Sequence, residues 1–387
     1  MLGQRIHQAR LAAGLTLEAL GQQLGVTKAA IQKYEKGTVT PDSAKLLKIA
    51  KACGVRTEYF FRKESADLTN VEFRKTSTFG VKRAQAVQIR VAEQVEKRIA
   101  LLNAFPESPI SRFAVPDSVP DQITDLEALE AVADGVRHAW SLGLNPIGDL
   151  TDTLETLGLL VLTVDEDHSA FSGMTATAIT ADGQQYPVVA VSSTWPGDRQ
   201  RFTLAHELGH VLLAGRLADD VNEEKACDRF AGAFLAPQAA VIHELGEHRH
   251  RLEPRELYRL KHEYGLSMKG WAIRALQCGV IPHAYFESLM KRFSVNRWHR
   301  GEPGDPLPTE TPQLFEQLVY RALAEQLISE AKAAELLSIP RLQFCRQRWM
   351  EPLWMESVDA AADRRTTGHR TTGHPLFDSL LRRAMLR

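Results

Sequence analysis

The sequence predicts an α+β protein that is mostly helical and has several domains, because 387 residues exceed one typical domain. Three observations give this fold class. Short apolar segments separated by glycines over residues 1–62 predict a small domain of five helices. Strand-like runs alternate with helical patterns over residues 121–250, which predicts a small sheet among helices. Residues 251–350 again show helical spacing, and the polar residues 351–387 predict a disordered tail.

The composition excludes a membrane protein and points to a charged partner. No apolar run has the length of a membrane span, and the first ten residues lack the apolar stretch of a signal peptide. Four cysteines without paired spacing then predict a reduced, cytoplasmic protein. The net charge of −1 divides unevenly, since residues 1–62 hold ten Lys/Arg and four Asp/Glu. This basic N-terminal domain predicts a polyanionic partner.

Glycines and capping residues divide the N-terminal domain into short helices. The first helix ends at Gly14, Thr16 is placed to cap a second, and Gly25 makes a tight turn. Thr27 then caps a third helix, which Gly37 closes. Two helices joined by a short turn that contains glycine form a helix-turn-helix, whose second helix enters the major groove of DNA.

The segment GLTLEALGQQLGVTKAAIQKYEKGTVTP resembles the Cro/cI-type (XRE) helix-turn-helix family over about residues 4–61. The resemblance implies a double-stranded DNA operator, and paired half-sites imply a homodimer. The implied groove-facing residues are Thr27, Lys28, Ala29, Gln32 and Lys33. Gln32 is expected to read a base edge, while Lys28 and Lys33 suit phosphates or guanine. Leu17 stands where the family often has Gln, which removes one common DNA contact. A small helical bundle that contacts protein is the alternative, which the basic charge and the complete turn pattern disfavour.

Residues 63–120 are predicted to form a connector that contains one long helix. Glu64 to Asn70 is polar and predicts a linker, and Val87 to Asn103 has helical periodicity. Four prolines over Phe105 to Asp121 predict a loop or a second linker. The pattern of this long helix is equally compatible with an arm or dimerisation surface and with a packed core helix.

The segment Arg199 to Leu213, RQRFTLAHELGHVLL, carries the chemistry of the central domain. His206 and His210 lie four apart, hence one turn apart on one helical face. That geometry suits one metal ion, and Zn²⁺ is the usual occupant. Glu207 falls beside this face, where it can take a proton from the attacking water.

A catalytic zinc site needs a third protein ligand, and the helical segment EEKACDRFAGAFLAP offers one. Glu224 and Asp228 lie four apart on one face of this helix. Glu224 would complete a His-His-Glu set, and Asp228 could accept a hydrogen bond from a ligand histidine. Glu223 points about 100° away around the helix, so Glu224 is the predicted ligand.

Strands are predicted over Leu159 to Val164, Ala170 to Ile179 and Pro187 to Ser192. The last of these, PVVAVS, precedes the histidine helix. If its edge is free, it could pair with an extended peptide and fix that backbone across the metal. The alternative is a buried interior strand.

Residues from about 71 to 340 resemble the ImmA/IrrE family of metallo-endopeptidases. The motifs that carry the resemblance are VEFRK, NPIGDL, FSGM, PGDRQRFTLAHELGH, E-x-x-x-D-R-F-A, FLAP and a later W-H-R-x-E-P. The resemblance implies a zincin-like fold, Zn²⁺ bound by His206, His210 and Glu224, and Glu207 as general base. Some members cleave a repressor, which implies a protein substrate of that kind. Cys227 stands where the family usually has Ala, which predicts a thiol near the metal and an oxidation-sensitive site.

Together these features predict a DNA-binding transcriptional regulator with a zinc-dependent endopeptidase domain that cuts a repressor or the protein itself. One alternative is a regulator whose zinc is structural or sensory, which the intact Glu207 disfavours. Another is an antitoxin-like or phage-immunity repressor. Candidates for stabilising the oxyanion of peptide hydrolysis stay unranked at His243, His262, Tyr264 and Arg274.

Overall fold

The computed structural model describes residues 2–62, 66–75, 79–166 and 171–348. The predicted disordered tail, residues 351–387, lies outside the described residues. The chain divides into two units, Met1–Leu327 and Ile328–Arg387. The α+β class, with mostly helical content and a small sheet, is confirmed.

The N-terminal domain contains the five predicted helical segments. They are α1 (Leu2–Ala12), α2 (Leu17–Leu24), α3 (Lys28–Glu35), α4 (Ser43–Cys53) and a 3₁₀ helix (Thr57–Phe61). The predicted starts are confirmed, since the side chain of Thr16 accepts from the backbone N of Ala19 at 3.0 Å. Thr27 likewise accepts from Ala30 N at 3.3 Å. Such caps satisfy backbone donors that the first helical turn leaves without partners.

The long helix α5 (Val81–Leu102) belongs to the packed core. Val87, Val91, Val95 and Ile99 follow one face of it and are completely or almost completely buried. α1 packs against α5, and α5 also contacts the sheet, so the helix links the N-terminal domain to the body. The structure therefore decides between the two interpretations of this helix in favour of the core helix.

The sheet has four strands, β1 (Ala66–Lys75), β2 (Leu160–Val164), β3 (Phe171–Thr180) and β4 (Gln185–Ser192), in the order β1-β3-β4-β2. β3 is antiparallel to both β1 and β4, whereas β2 and β4 are parallel. Val189 of β4 pairs with Val161 of β2 and with Thr175 of β3, so β4 is an interior strand. The prediction of a free edge on PVVAVS is therefore wrong.

The structure also corrects the linker predicted over Glu64 to Asn70, because β1 begins at Ala66. Thr69 pairs with Thr177 of β3, more than one hundred residues later in the chain. A strand held by so distant a partner shows little of itself in its local sequence. The loop predicted over Phe105 to Asp121 has neither helix nor strand and is confirmed.

Nine helices of the described residues build the rest of the first unit. They are α6 (Ala128–Ala139), α7 (Leu150–Thr156), α8 (Gly197–Leu213), α9 (Glu223–Leu235), α10 (Gln238–Leu245), α11 (Pro254–Tyr264), α12 (Met268–Gln277), α13 (His283–Val295) and α14 (Leu314–Ala324). One hydrophobic core extends from Val119 to Phe293 and includes Phe230 and Trp271, both fully buried. The core therefore continues across residue 250, where the sequence pattern placed a domain boundary. α8 lies at its centre, against β3, β4 and α9.

The second unit contains α15 (Glu330–Leu336) and α16 (Arg341–Arg348), which pack against each other. Ser329 caps α15 by accepting from the backbone N of Lys332 at 3.2 Å. In the described parts of the chain, every helix is too short or too polar to cross a bilayer.

Candidate metal centre and nucleic-acid interface

α8 is held in place by neighbours on nearly every side. Arg201 donates to the carbonyl of Ile147 at 2.6 Å and forms an ion pair with Glu310. Glu310 also accepts from the backbone N of Leu150 at 3.1 Å and of Thr151 at 2.9 Å. The NPIGDL segment thus anchors the first half of α8. A catalytic or binding group on such a helix has little freedom to move.

A close crossing of α8 and α9 brings the predicted ligands together. A Cβ on Gly209 would lie 3.2 Å from the Cα of Cys227, so a residue without a side chain suits this crossing. The Nε2 atoms of His206 and His210 are 3.2 Å apart. Glu224 places one carboxylate oxygen 3.5 Å from Nε2 of His206 and the other 3.7 Å from Nε2 of His210. Ligand atoms around a tetrahedral zinc ion lie about 3.4 Å apart, so the three side chains have the spacing that Zn²⁺ needs.

The second nitrogen of each histidine contacts a carboxylate. Nδ1 of His206 lies 2.8 Å from Oδ1 of Asp228, and Nδ1 of His210 lies 3.0 Å from Oε1 of Glu223. Since an ionised carboxylate only accepts, each Nδ1 donates, and in the neutral imidazole that binds a metal the lone pair is then at Nε2. Two lone pairs 3.2 Å apart repel each other unless a cation lies between them. The donor chemistry therefore fits a metal ion.

Sequence reasoning assigned Asp228 to this orienting position but gave Glu223 no role. Glu223 differs from Glu224 by one helical step, and it takes the position at His210 that Asp228 takes at His206. Glu72 of β1 also approaches, with Oε2 3.4 Å from Nδ1 of His210. Glu72 is part of the VEFRK motif, but its approach to His210 was not predicted because β1 itself was not predicted.

Glu207 lies next to the ligands and is almost completely buried, with 1% of the residue exposed. Its carboxylate faces β3 at Gly173, the glycine of the FSGM segment. A Cβ on Gly173 would come within 2.5 Å of Oε1 of Glu207. The glycine therefore leaves the space that this carboxylate occupies.

The predicted thiol does lie near the metal ligands, but its burial disfavours the predicted sensitivity to oxidation. Cys227 is fully buried in the contact between α8 and α9. Burial raises the pKa of the Cys227 thiol, and the surrounding carboxylates raise it further. Because the thiolate is the reactive form, a buried thiol of this kind is inert.

Two of the four oxyanion candidates are held by other partners. Arg274 donates to the carbonyl of Ala236 at 3.0 Å and to Glu130 at 2.8 Å. The hydroxyl of Tyr264 donates to Glu244 at 3.2 Å. Both side chains therefore serve the packing of the helices.

A groove of about 550 Å³ adjoins the metal centre between α8, α12 and residues 298–306. We call it the lateral groove. Asp228 and Thr203 lie on its wall next to the ligands. Its outer wall is fixed by Glu302, which accepts from the backbone N of Met268 and of Lys269, each at 2.9 Å. This contact gives the W-H-R-x-E-P segment a structural role.

The five predicted DNA-contacting residues, Thr27, Lys28, Ala29, Gln32 and Lys33, are all exposed at the start and along one side of α3. Nζ of Lys28 lies 2.5 Å from Oε1 of Glu18 on α2, so its charge is partly balanced. In the described residues, Lys33 has no carboxylate within ion-pair distance. The surface therefore presents an amide and an unbalanced cation side by side.

Two family models match the chain in these regions. Residues 6–60 match a family described as helix-turn-helix, and residues 155–275 match a peptidase family described as an IrrE N-terminal-like domain. The chain joins a helix-turn-helix domain to an IrrE N-terminal-like domain. The helix-turn-helix resemblance is thereby confirmed, and the IrrE-like resemblance is confirmed over residues 155–275.

Relatives of the helix-turn-helix domain carry names of transcriptional regulators. An "uncharacterized transcriptional regulator in ATPase CF(0) region" of Rhodospirillum rubrum is 43% identical over 60 residues, which are 16% of this chain and 56% of that protein. An "uncharacterized HTH-type transcriptional regulator" of Sinorhizobium medicae is 38% identical over 66 residues, 17% of this chain and 48% of that protein. The chain thus spans about half the length of the curated relatives it matches. No solved structure matches the IrrE-like domain or the rest of the chain.

Proposed function

We propose that this protein is a DNA-binding transcriptional regulator whose IrrE-like domain is a zinc-dependent endopeptidase acting on a regulatory protein. The observation that carries the proposal is the convergence of His206, His210 and Glu224 beside Glu207, with a carboxylate on each histidine ring. A site that is only structural has no need of Glu207 at this position.

The side chains have separate tasks in peptide hydrolysis. His206, His210 and Glu224 would hold Zn²⁺, which supplies a Lewis acid for the scissile carbonyl and acidifies water. Glu207 takes a proton from the attacking water and delivers it to the leaving amine. Asp228 orients the ring of His206, so that the ligand nitrogen stays directed at the site.

The N-terminal domain supports the regulatory half of the proposal. Its net charge of +6 suits a polyanion, and α3 exposes Gln32 and Lys33 where a recognition helix contacts bases and phosphates. The relatives of this domain are named as transcriptional regulators. We propose double-stranded DNA as its partner and a homodimer as the form that binds paired half-sites.

The test compares the zinc-loaded protein with its Glu207→Gln variant. Each protein is incubated with candidate repressors encoded near its gene and, separately, without any other protein. Mass spectrometry then identifies the products. We expect the unmodified protein to cut a regulatory protein or itself, and the variant to bind zinc but not to cut. The same amide-for-carboxylate change at exposed Glu247 is the matched control and should leave cutting unchanged.

The competing regulator with a sensory zinc site predicts a different result. In that case both proteins leave every candidate intact, while zinc removal changes the affinity for operator DNA. That combination would refute the peptidase assignment and retain the regulator. Loss of zinc from a Glu224→Ala variant tests the ligand set separately, and retention of tight, stoichiometric zinc would contradict it.

A further inference from the structure

We propose that the lateral groove selects substrate segments that carry an acidic side chain next to the bond to be cut. The inference rests on the proposed peptidase function and adds a substrate class to it.

The lateral groove begins beside the metal centre. Asp228, which contacts the ring of His206, and Thr203, one helical turn before Glu207, line its inner end. From there the groove extends outward past Trp195 and Trp298. A peptide bond held at the metal centre would have this groove beside it for its neighbouring side chains.

Two of the three acidic residues that line the groove, Asp198 and Glu302, are buried and share one lysine, whereas the third, Asp228, contacts the ring of His206. Nζ of Lys261 lies 3.2 Å from Asp198 and 3.0 Å from Glu302, and all three side chains are more than 90% buried. Burial alone lowers the pKa of Lys261, but Asp198 and Glu302 raise it above its ordinary value, so the lysine stays charged. Glu302 additionally receives two backbone N–H groups of α12. Neither carboxylate is available to attract a cationic substrate.

The mouth of the groove carries the opposite charge. Arg199, Lys269 and Arg300 line it and are exposed. The guanidinium of Arg199 lies 4.1 Å from the ring centroid of Trp195, a contact that holds it at the rim. Among the residues that the structure describes, no carboxylate lies within ion-pair distance of Lys269 or Arg300. The positive charges of Lys269 and Arg300 are therefore available to a ligand.

An acidic peptide side chain is the ligand that fits this arrangement. A carboxylate can accept two parallel hydrogen bonds from an arginine, and Trp195 and Trp298 offer apolar surface to the adjoining residue. Duplex DNA also carries negative charge, but the cations line a groove about as large as a small-ligand pocket, beside the metal centre. The proposed occupant of the groove is therefore a peptide, and the experiment below also tests for binding of duplex DNA.

The test uses the full-length, zinc-loaded protein and a library of synthetic twelve-residue peptides with randomised positions. Mass spectrometry identifies the cut bonds. We expect Asp and Glu to be enriched at least tenfold at one fixed distance from the cut bond. A Lys269→Glu/Arg300→Glu variant should lose this preference and favour Lys or Arg, whereas Lys291→Glu on the exposed side of α13 should keep it. A Lys269→Gln/Arg300→Gln variant, which adds no repulsion, should lose the preference without gaining the opposite one.

Three results would overturn the inference. The first is cutting without any acidic preference, and the second is an acidic preference that the charge reversal leaves unchanged. The third is a variant that loses affinity for a duplex without operator sequence while its peptide preference stays intact.

If the library is not cut at all, the proposed function fails and the groove is tested separately. Fluorescence anisotropy then measures binding of a labelled peptide rich in Glu to the Glu207→Gln protein, beside its Gln-substituted counterpart. Equal binding of the two peptides would overturn the inference independently of catalysis.

Discussion

Replacing Gly173 by alanine should disable the general base without disturbing the ligands. The added Cβ would lie 2.5 Å from Oε1 of Glu207 and 2.8 Å from Cγ2 of Thr203, whereas ordinary contacts begin at 3.4 Å. To reach ordinary contact, the carboxylate of Glu207 must move by about 0.9 Å and the methyl group of Thr203 by about 0.6 Å. A displacement of about 1 Å in a catalytic group costs on the order of a hundredfold in rate, or about 2.7 kcal/mol.

The assay is kcat for the substrate identified with the unmodified protein, together with zinc content by atomic absorption. We expect kcat to fall about a hundredfold in Gly173→Ala while zinc stays stoichiometric, because Gly173 faces the base and not the three ligands. If the added methyl group met no contact at Glu207, the Gly→Ala change should raise the free energy of unfolding by about 0.4–1 kcal/mol. A measured rise in stability would therefore argue against the contact.

Gly148→Ala is the matched control, since a Cβ there meets no atom within 4 Å. It should retain full activity and raise the free energy of unfolding by about 0.4–1 kcal/mol, because no contact opposes the loss of freedom in the unfolded chain. A Gly173→Ala protein with kcat within twofold of the unmodified protein would refute the reasoning. Loss of zinc in that variant would refute it as well, because the effect would then have spread to the ligands.

Three further changes test other parts of the molecule. Asp228→Asn should weaken zinc binding about 10- to 100-fold in competition with a chromophoric chelator, and unchanged affinity would deny it an orienting role. Lys33→Ala should reduce the steepness with which log K for DNA falls with log salt by about 0.9. Lys28→Ala should reduce it less, because Glu18 partly balances the charge of Lys28. Burial alone raises the pKa of Glu35, but hydrogen bonds from Arg10 lower it below its ordinary value of 4.5. The pair therefore stabilises above about pH 4.5 and is lost as pH falls through the lower folded-state pKa. Glu35→Gln should cost about 1–3 kcal/mol in urea unfolding at pH 7 and much less in acid, and an equal cost at both pH values would contradict this.

The sequence by itself determined the helix starts and the sets of residues that share one helical face. Side-chain hydroxyls at Thr16 and Thr27 mark helix starts because they satisfy backbone donors only three residues away. The His-Glu-x-x-His spacing indicates a shared helical face because the helical period is fixed at 3.6 residues. The same period placed Glu224 and Asp228 on one face of the next helix. These features depend on neighbours within about one helical turn, so a linear pattern contains them.

Pairing between distant segments was decided only by the tertiary structure. β1 forms because β3 pairs with it across the chain, and this pairing brings Glu72 near His210. Pairing with β2 on one side and β3 on the other makes β4 an interior strand. The rotation of α9 against α8 gives Glu223 a histidine partner and buries Cys227. The charge of the lateral groove likewise depends on which carboxylates fold onto Lys261. These contacts join residues that are far apart in the sequence, so they depend on how the elements pack in three dimensions and not on any local sequence pattern.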